Sequence, residues 1–470
     1  MINHLIHIGI RQGPLLIILA VGLIIRLVLL SHMNETGLRV VDERHYFRLA
    51  TSIFSGWGFA LGPEGPTSGR APLYPAFLAL VWTVIGEKSL WAIRVTQIGL
   101  SLLNVVVLYS LGLRIFNRRV AVWAAAIFCF YPSFVAFNFL LLSEVLFTLL
   151  LTLFAFGCVV LLQSARPALA VGTGCVLGLA ALTRSVLWPF PIILCPLAFL
   201  SLQGNRGTRL KLAGCLLLGY LMVVAPWAVR NTSLQGVFTV VNSMGGITLL
   251  MGNYEHTKLN RAWDSATLEG EQSIFNTYKL REKQPESANW TEGQLEKWAQ
   301  KTAFAFMLEH PVLTVKRSIA KFASFWGPER SILGGFRVGY YHPPQWFAVF
   351  ASVVIILAYA LVMVMACLGV FLSAPDDRRI HWLFLLIIFF VSGIHTLVFG
   401  HSRYHLPLIP LVILYAASAI TQHSWQRLRE GFRVAAAPIA ACLALLAIWG
   451  REVLVVETER LRTFVDSLLG

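Results

Sequence analysis

Charged residues are scarce in this chain of 470 residues, since only 13% are Asp, Glu, Lys or Arg. Soluble domains typically have about a quarter of their residues charged, so this composition excludes an ordinary water-soluble protein. Hydrophobic residues instead make up 57% of the chain, and the mean hydropathy is +0.69. The chain is therefore predicted to be an all-α polytopic membrane protein.

Signatures of several other classes are missing. The seven cysteines all fall inside predicted spans, where burial as small apolar side chains is the ordinary explanation, and their spacing suggests neither a disulfide nor a metal site. The sequence has no glycine fingerprint of a nucleotide-binding loop and no repeat of fixed period. Its net charge of +15 includes no clustered basic face with interleaved aromatics, so no nucleic-acid partner is expected.

Long apolar stretches are abundant, and about eleven of them approach the length that crosses a bilayer. Pro189, Pro191 and Pro196 could break the region from Leu169 to Leu202 into kinked or re-entrant pieces. The predicted spans are residues 14–31, 89–113, 120–138, 145–163, 168–183, 186–202, 210–228, 346–372, 380–399, 406–421 and 434–450.

Basic residues in the short connections predict the orientation, because Arg and Lys accumulate on the cytoplasmic side. With the amino terminus inside, two long loops, residues 32–88 and 231–345, and the tail from Arg451 are extracytoplasmic. The predicted organisation is a transmembrane module over residues 1–230 that contains the first loop, a loop region over 231–345, and carboxyl-terminal spans over 346–470. The second loop is predicted to contain an amphipathic helix from Thr291 to Phe325, interrupted at Pro311.

The acidic pair Asp42-Glu43 follows the first span by only a few residues. The spacing of apolar residues from Arg44 to Phe54 predicts a helix along the membrane interface, with the carboxylates at its positive amino-terminal end. Two carboxylates just outside the bilayer suggest chemistry at the membrane surface. The alternative is that Asp42 only caps this helix.

Arg70 and Tyr74 lie where the first loop returns to the membrane. A guanidinium at headgroup depth can bind two oxygens of a phosphate, so Arg70 is a candidate for phosphate binding. The alternative is an interfacial arginine whose aliphatic stem covers apolar surface.

Further charged residues occur at the predicted extracytoplasmic ends of spans. Glu144 stands at the turn before the fourth span, Arg184 ends the fifth, and Arg403, flanked by His401 and His405, starts the tenth. Ionisable groups so close to hydrocarbon are candidates for function, although pairing with one another to stabilise helix packing is the structural alternative.

Taken in order, these short motifs resemble those of the membrane GT-C glycosyltransferases, and in particular the protein O-mannosyltransferase-like and lipid A aminoarabinose transferase-like group. The resemblance extends from about Val41 to Ala417, and the order of the motifs is more specific than any one of them. They are Asp42-Glu43, Arg70-Ala71-Pro72-Leu73-Tyr74-Pro75, Leu142-Ser143-Glu144, Leu182-Thr183-Arg184, Gly245-Gly246-Ile247-Thr248-Leu249, Gly252-Asn253, His310-Pro311 and Ser402-Arg403-Tyr404-His405-Leu406-Pro407.

The resemblance implies a GT-C fold and transfer of a sugar from a polyprenyl-phosphate carrier to a protein, lipid or glycan acceptor, with inversion. It implies an extracytoplasmic active site, in a plasma membrane such as the bacterial inner membrane. Carried over by position, Asp42 matches the catalytic acidic residue, with Glu43 beside it, and Glu144 matches a second acidic position. By the same resemblance, the chain is expected to be shorter than many relatives and to lack the large carboxyl-terminal soluble domain that they have.

The same resemblance assigns Arg70 to the carrier phosphate and makes four further residues candidates for substrate binding, namely Tyr74, Arg184, His401 and Arg403. The chemistry fits these residue types: one carboxylate removes the acceptor proton, and cations stabilise the departing phosphate. A phosphate leaves as an anion without an acid catalyst, unlike the leaving group of a glycoside hydrolase, which needs a second carboxyl group as acid.

A cofactor is not expected to be required. Asp42, Glu43 and His45 could together bind a divalent cation, but adjacent residues rarely face one ion, and no spaced set of ligands completes a site. Two other functions stay open, namely a transporter or flippase of a lipid-linked sugar and a non-catalytic scaffold. A transporter typically has charges at the middle of the membrane and internal symmetry, whereas here the charges gather at one face.

Overall fold

The computed structural model describes residues 2–32, 37–38, 40–62, 65–330, 344–456 and 458, with the side chains of these residues except 2–12, 263 and 281. Parts of both predicted loops, at 33–36, 39, 63–64 and 331–343, and the tail beyond 458 lie outside the described residues. The described chain is all-helical, as predicted, and its only extended pairing is a single bridge between Ala60 and Pro66.

Twenty α-helices make up most of the described chain. They are α1 Ile2–Ser31, α2 Val41–Phe54, α3 Leu73–Ile85, α4 Leu90–Ile115, α5 Arg118–Cys129, α6 Pro132–Phe137, α7 Glu144–Ser164, α8 Pro167–Thr183, α9 Pro191–Ser201, α10 Arg206–Gln235, α11 Gly245–Met251, α12 Ile274–Thr277, α13 Leu280–Lys283, α14 Glu292–Glu309, α15 Pro311–Phe325, α16 Gln345–Leu372, α17 Arg378–Leu397, α18 Ile409–Thr421, α19 Ser424–Arg427 and α20 Phe432–Arg451. Short 3₁₀ turns occur at Ser185–Leu187, Ala262–Thr267, Gly270–Gln272, Pro285–Asn289, Ser402–Leu408 and Leu428–Glu430, and a π turn at Glu452–Val456.

Within the described residues, eight helical segments are long and apolar enough to cross a membrane. They are Gly13–Ser31, Leu90–Ile115, Glu144–Ser164, Arg206–Gln235, Gln345–Leu372, Arg378–Leu397, Ser402–Thr421 and Phe432–Val456. The predicted spans 120–138, 168–183 and 186–202 correspond to shorter helices, and the count of eleven crossings stays a prediction. Pro132 and Pro191 each begin a new helix, which explains why two of these stretches are divided.

Close contact between helices requires glycine at particular positions. A Cβ on Gly219 of α10 would lie 2.0 Å from the carbonyl oxygen of Val171 in α8, so only glycine allows the two backbones to pack this closely. In the second loop, a Cβ on Gly246 of α11 would lie 2.2 Å from the carbonyl oxygen of Glu296 in α14. This contact gives the Gly245-Gly246 motif a packing role.

The helix predicted from Thr291 to Phe325 is divided at Pro311, as expected. Thr291 caps α14 by accepting from the Gln294 amide, and Pro311 opens α15. One face of α15 buries Arg317 and Lys321, while its opposite apolar side chains are exposed, as in an interfacial helix: Val312, Val315 and Ile319.

Helix α7 and the segment Ser402–Thr421, which comprises a 3₁₀ turn and α18, are the most buried of the eight candidate spans. Glu144 is the first residue of α7, and Arg403 lies in the 3₁₀ turn that leads into α18. The two most enclosed helices therefore bring one acidic and one basic side chain to the same place.

Candidate active site

Helix α2 carries the acidic pair. It begins at Val41 with Val40 at the N-cap, so the alternative in which Asp42 is the capping residue is wrong. Glu43 instead completes the amino terminus of the helix, because its carboxylate accepts from the Val40 amide at 2.9 Å. Its other oxygen accepts from the Leu141 amide at 2.9 Å. Glu43 is buried, and each of its carboxylate oxygens accepts from a backbone amide.

Asp42 lies between two guanidinium groups. Its Oδ1 is 3.0 Å from Arg70 Nη2, and its Oδ2 is 2.8 Å from Arg403 Nη2. Burial by itself would raise the pKa of Asp42, but Arg403 and Arg70 outweigh that effect and hold the pKa well below its usual range. Asp42 is therefore ionised at any physiological pH.

Arg403 also joins Asp42 to a second carboxylate. Its Nε lies 2.9 Å from Oε1 of Glu144, and Nη2 of Arg184 lies 3.5 Å from the same oxygen. The result is a continuous chain of charges from Arg70 through Asp42, Arg403 and Glu144 to Arg184, called here the Arg–carboxylate cluster. Its three guanidiniums and two carboxylates leave one positive charge in excess.

Aromatic rings line the Arg–carboxylate cluster. The Arg70 guanidinium lies 6.0 Å from the centre of the Tyr46 ring, and Tyr404 lies 5.3 Å from Arg184 and 5.5 Å from Arg403. Tyr404 in turn stacks on His395, with 4.4 Å between ring centres. Such faces stabilise cations and restrict the motion of the arginine side chains.

Two of the predicted binding residues make different contacts. Tyr74 is fully buried, and its hydroxyl donates to Gln97 Oε1 at 2.9 Å, while its ring packs edge-on against Tyr46 at 4.9 Å. His401 Nδ1 accepts from the Arg403 amide at 3.1 Å and so caps the 3₁₀ turn that carries Arg403. These contacts give both residues a supporting position, and their contact with substrate stays a prediction.

His45, which the sequence suggests as a metal ligand, contacts the basic end of the cluster. Arg70 Nη2 donates to His45 Nδ1 at 2.8 Å, so this ring nitrogen carries no proton. Burial and the positive charge of Arg70 both lower the pKa of His45. The histidine is thus a neutral acceptor that helps to hold Arg70.

Sequence reasoning missed two glutamates behind the site. Glu329 is buried, accepts from Tyr131 at 2.7 Å and contacts His405 Nε2 at 3.3 Å, while Ser133 also donates to it. Glu292 at the start of α14 contacts the segment before Arg70. Neither glutamate adjoins an apolar span, which was the pattern that drew attention to Glu144.

A divalent cation has no ready set of ligands among the side chains described. Asp42 forms ion pairs with two arginines, Glu43 accepts hydrogen bonds from backbone amides, and His45 accepts a hydrogen bond from Arg70. Asp42 and His45 both contact Arg70 Nη2, so a guanidinium lies where an ion shared by them would have to bind. No group of three or more His, Cys, Asp or Glu placed to hold a metal ion is found within the described chain.

Comparison with known families supports the resemblance read from the motifs. Residues 69–229 match a family model described as dolichyl-phosphate-mannose-protein mannosyltransferase. The matched region contains Arg70, Glu144 and Arg184, whereas Asp42 and Arg403 lie outside it. A sequence search of curated proteins finds no match.

Solved structures establish the fold. The oligosaccharyltransferase of Archaeoglobus fulgidus in its apo form is similar over 94% of this chain and 55% of its own, with a TM-score of 0.54 and 15% identity. A structure of archaeal AglB from the same organism, in complex with an inhibitory peptide and a dolichol-phosphate, has a TM-score of 0.53 at 13% identity, over 93% of this chain and 54% of its own. The chain thus spans about half the length of these enzymes, and it has the GT-C fold that the motifs implied.

Proposed function

We propose that this protein is an inverting glycosyltransferase that transfers a sugar from a polyprenyl-phosphate carrier to a lipid, glycan or protein acceptor at the extracytoplasmic membrane face. The observation that carries the proposal is Asp42 between Arg70 and Arg403, with both ion pairs 3.0 Å or shorter. An ionised carboxylate beside an excess of guanidinium groups is the combination that such a transfer needs.

The cations fit a lipid phosphate. Arg184 makes the longest ion pair of the cluster, 3.5 Å to Glu144, and 29% of the Arg70 side chain is exposed. Both guanidiniums can turn toward a phosphate and bind two of its oxygens. The negative charge on that phosphate grows as the bond to the sugar breaks, so the same contacts strengthen in the transition state.

Asp42 fits the role of general base. In the proposed step, Asp42 takes the proton of the acceptor nucleophile as it attacks the anomeric carbon, and the bond from that carbon to the phosphate oxygen breaks with its electron pair on the phosphate. Attack opposite the leaving phosphate inverts the anomeric centre. General-base assistance of this kind contributes about a hundredfold to ten-thousandfold in rate.

Donor binding and base strength are coupled in this arrangement, because Asp42 and the phosphate compete for the same arginines. With Arg70 and Arg403 directed at Asp42, the carboxylate is a weak base. A bound phosphate that draws either guanidinium away raises the pKa of Asp42 and strengthens it as a base. The acceptor would then be deprotonated only when the donor is present.

The proposed face of the membrane follows from the direction of α7. Glu144 begins this helix, and Arg166, one of the basic connection residues, follows its end at Ser164. A helix of 21 residues is about 30 Å long, roughly the thickness of the hydrocarbon core. The cluster therefore lies at the opposite end of α7 from Arg166, and we assign it to the extracytoplasmic side.

We propose that the reaction needs no bound metal, since the cluster's arginines can neutralise the leaving phosphate.

The decisive experiment incubates the purified full-length protein with a polyprenyl-phosphate sugar and a crude cell-envelope acceptor fraction. Release of polyprenyl phosphate with formation of the glycosylated acceptor is expected, and loss of both in Asp42→Asn is the matched control. Movement of the intact lipid between leaflets without chemical change would instead favour a transporter.

A further inference from the structure

The segment just before Arg70 is held by residues of the second loop region. Thr67 and Ser68 are buried, and the carbonyl of Ser68 accepts from the Ser243 amide at 2.9 Å. On the other side, Arg230 at the end of α10 donates to the Thr67 carbonyl at 2.7 Å. The backbone from which Arg70 projects is therefore tied to structure that is more than 150 residues away in sequence.

Glu292 is the acceptor on which this segment converges. Its Oε1 accepts from Thr67 Oγ1 at 2.6 Å, and its Oε2 accepts from the Ser68 amide at 2.8 Å. The hydroxyls of Ser68 and Ser243 lie 3.1 and 3.0 Å from the same Oε2. One carboxylate thus satisfies donors from both extracytoplasmic regions.

The hydrogen bonds lead directly to Arg70. The Gly69 amide donates to Thr67 Oγ1 at 2.9 Å, which closes a tight turn on the residue preceding Arg70. Without Glu292, the buried donors of Thr67 and Ser68 would lose their acceptor, and a buried unsatisfied donor is costly. The segment would then relax toward other partners and carry the Arg70 side chain with it.

We propose that Glu292 is a positioning residue for the carrier-phosphate site: it fixes the turn at residues 67–69 so that Arg70 is held opposite Asp42. This inference rests on the proposed role of Arg70. Glu292 is itself an exposed residue, and Thr291 caps α14 independently. Replacing Glu292 therefore removes hydrogen bonds without opening a cavity, and the protein should still fold.

The test measures binding of a polyprenyl monophosphate to the purified full-length protein in nanodiscs. Glu292→Gln and Glu292→Ala should each weaken binding, with about a tenfold loss for the alanine variant, the scale of a charge-assisted hydrogen bond. In Arg70→Ala, adding either change should produce no further loss, because Glu292 acts through Arg70. Glu296→Gln is the matched control, since this carboxylate of the same helix accepts from the Gly246 amide, at 3.4 Å, in a different part of the second loop region.

A second measurement separates failure of this proposal from failure of the proposed function. A cysteine introduced by Arg70→Cys reports on the turn through its rate of modification by a maleimide, and that rate should rise severalfold when Glu292→Ala is added. Wild-type protein that binds no polyprenyl phosphate would overturn the proposed function, and the maleimide rate would then still test whether Glu292 fixes the turn at residues 67–69. Normal binding in Glu292→Ala, losses that multiply with those of Arg70→Ala, or an unchanged maleimide rate would overturn the positioning role.

Discussion

Arg403 Nη2 lies 2.8 Å from Asp42 Oδ2, although 361 positions separate the two residues in the chain. The same arginine contacts Glu144 through Nε at 2.9 Å. Three separate parts of the chain, the first loop, the start of α7 and the turn before α18, therefore meet at one guanidinium. Charges buried near a membrane are costly unless paired, so this arrangement holds the three parts together.

The two adjacent carboxylates should behave differently on neutralisation. Asp42→Asn keeps the size of the side chain but removes the base, so turnover should fall by about a hundredfold or more with little change in folding. Glu43→Gln should mainly lower the melting temperature, because Glu43 accepts from the buried Leu141 amide. Steady-state turnover and thermal melts of both purified variants test this contrast. Near-normal turnover in Asp42→Asn would transfer the role of base to Glu43 or Glu144.

The pH dependence of catalysis should report the arginines beside Asp42. Because Arg403 and Arg70 lower the pKa of Asp42, kcat/KM of the wild-type enzyme should show no loss down to the ordinary carboxyl range near pH 4. Removing a cation raises that pKa, so the acidic limb should move to higher pH in Arg403→Gln, and burial adds to the shift. The profile of kcat/KM between pH 4 and 8 measures it. An acidic limb at the same pH in both proteins would mean that Asp42 is not the titrating base.

How far the sequence could predict this site depends on where each residue lies along the chain. Glu144, Arg184 and Arg403 each adjoin an apolar span, and their closeness follows from helices that start or end at one face. The pairing of Arg403 with both Asp42 and Glu144 could not be predicted, because periodicity says nothing of which helices are neighbours. The burial of Glu43 could not be predicted either. Adjacent carboxylates on a helix point in different directions, and only packing decides which of them is buried.

The fold, like the site, could be predicted from the sequence only in part. Hydropathy predicted the long helices, and the break at Pro311 followed from the missing amide of proline. The apolar helix α3, Leu73–Ile85, lies within what the sequence offered as the first loop. Its 13 residues are fewer than a membrane crossing needs, so a search for spans by length does not detect this helix, whose buried residues include Tyr74.

The membrane orientation can be tested by labelling. In a variant without native cysteines, one introduced by Glu286→Cys should react with an impermeant thiol reagent added outside intact cells, and one introduced by Gly207→Cys should react only after lysis. Both positions are exposed, so access depends on the side of the membrane. This result is expected because the accumulation of Arg and Lys in the short connections predicts that they are cytoplasmic. The reverse pattern would contradict the orientation and the extracytoplasmic active site together.

Lys321 should make the stability of the second loop region depend on pH. Its Nζ donates to Asn253 Oδ1 at 2.8 Å and to the Leu397 carbonyl at 2.9 Å, while burial, with a further effect from Arg317, lowers its pKa to about 7. Between this pH and the ordinary lysine value near 10.4, the unfolded chain binds more protons than the folded one. The free energy of unfolding should therefore rise with pH in that window, by up to about 1.4 kcal/mol per unit.

Lys321→Met removes the titrating amine, so the melting temperature of the wild type relative to this variant should increase from pH 7 to pH 9. Lys316→Met, at an exposed position of the same helix, is the control and should show no such trend. A constant difference between wild type and Lys321→Met over this range would show that Lys321 keeps an ordinary pKa.

Arg70 provides the sharpest test of the phosphate site. Its guanidinium contacts Asp42 at 3.0 Å and His45 at 2.8 Å, and 29% of the side chain is exposed. Arg70→Ala should weaken binding of the donor and slow transfer, because the contact with the phosphate strengthens as negative charge develops on it. Arg70→Lys should restore activity only in part, since lysine keeps the charge but lacks the planar pair of donors.

Arg48→Ala is the matched control for Arg70→Ala. Arg48 is an exposed arginine of the same helix as Asp42, and its Nη2 donates to the Leu61 carbonyl at 3.1 Å. Donor affinity and single-turnover rate, measured for the purified wild type and the three variants, should therefore fall in the order wild type and Arg48→Ala, then Arg70→Lys, then Arg70→Ala. If Arg70→Ala leaves both quantities unchanged, Arg70 only anchors the first loop to Asp42, and the carrier phosphate must be sought at Arg184 and Arg403.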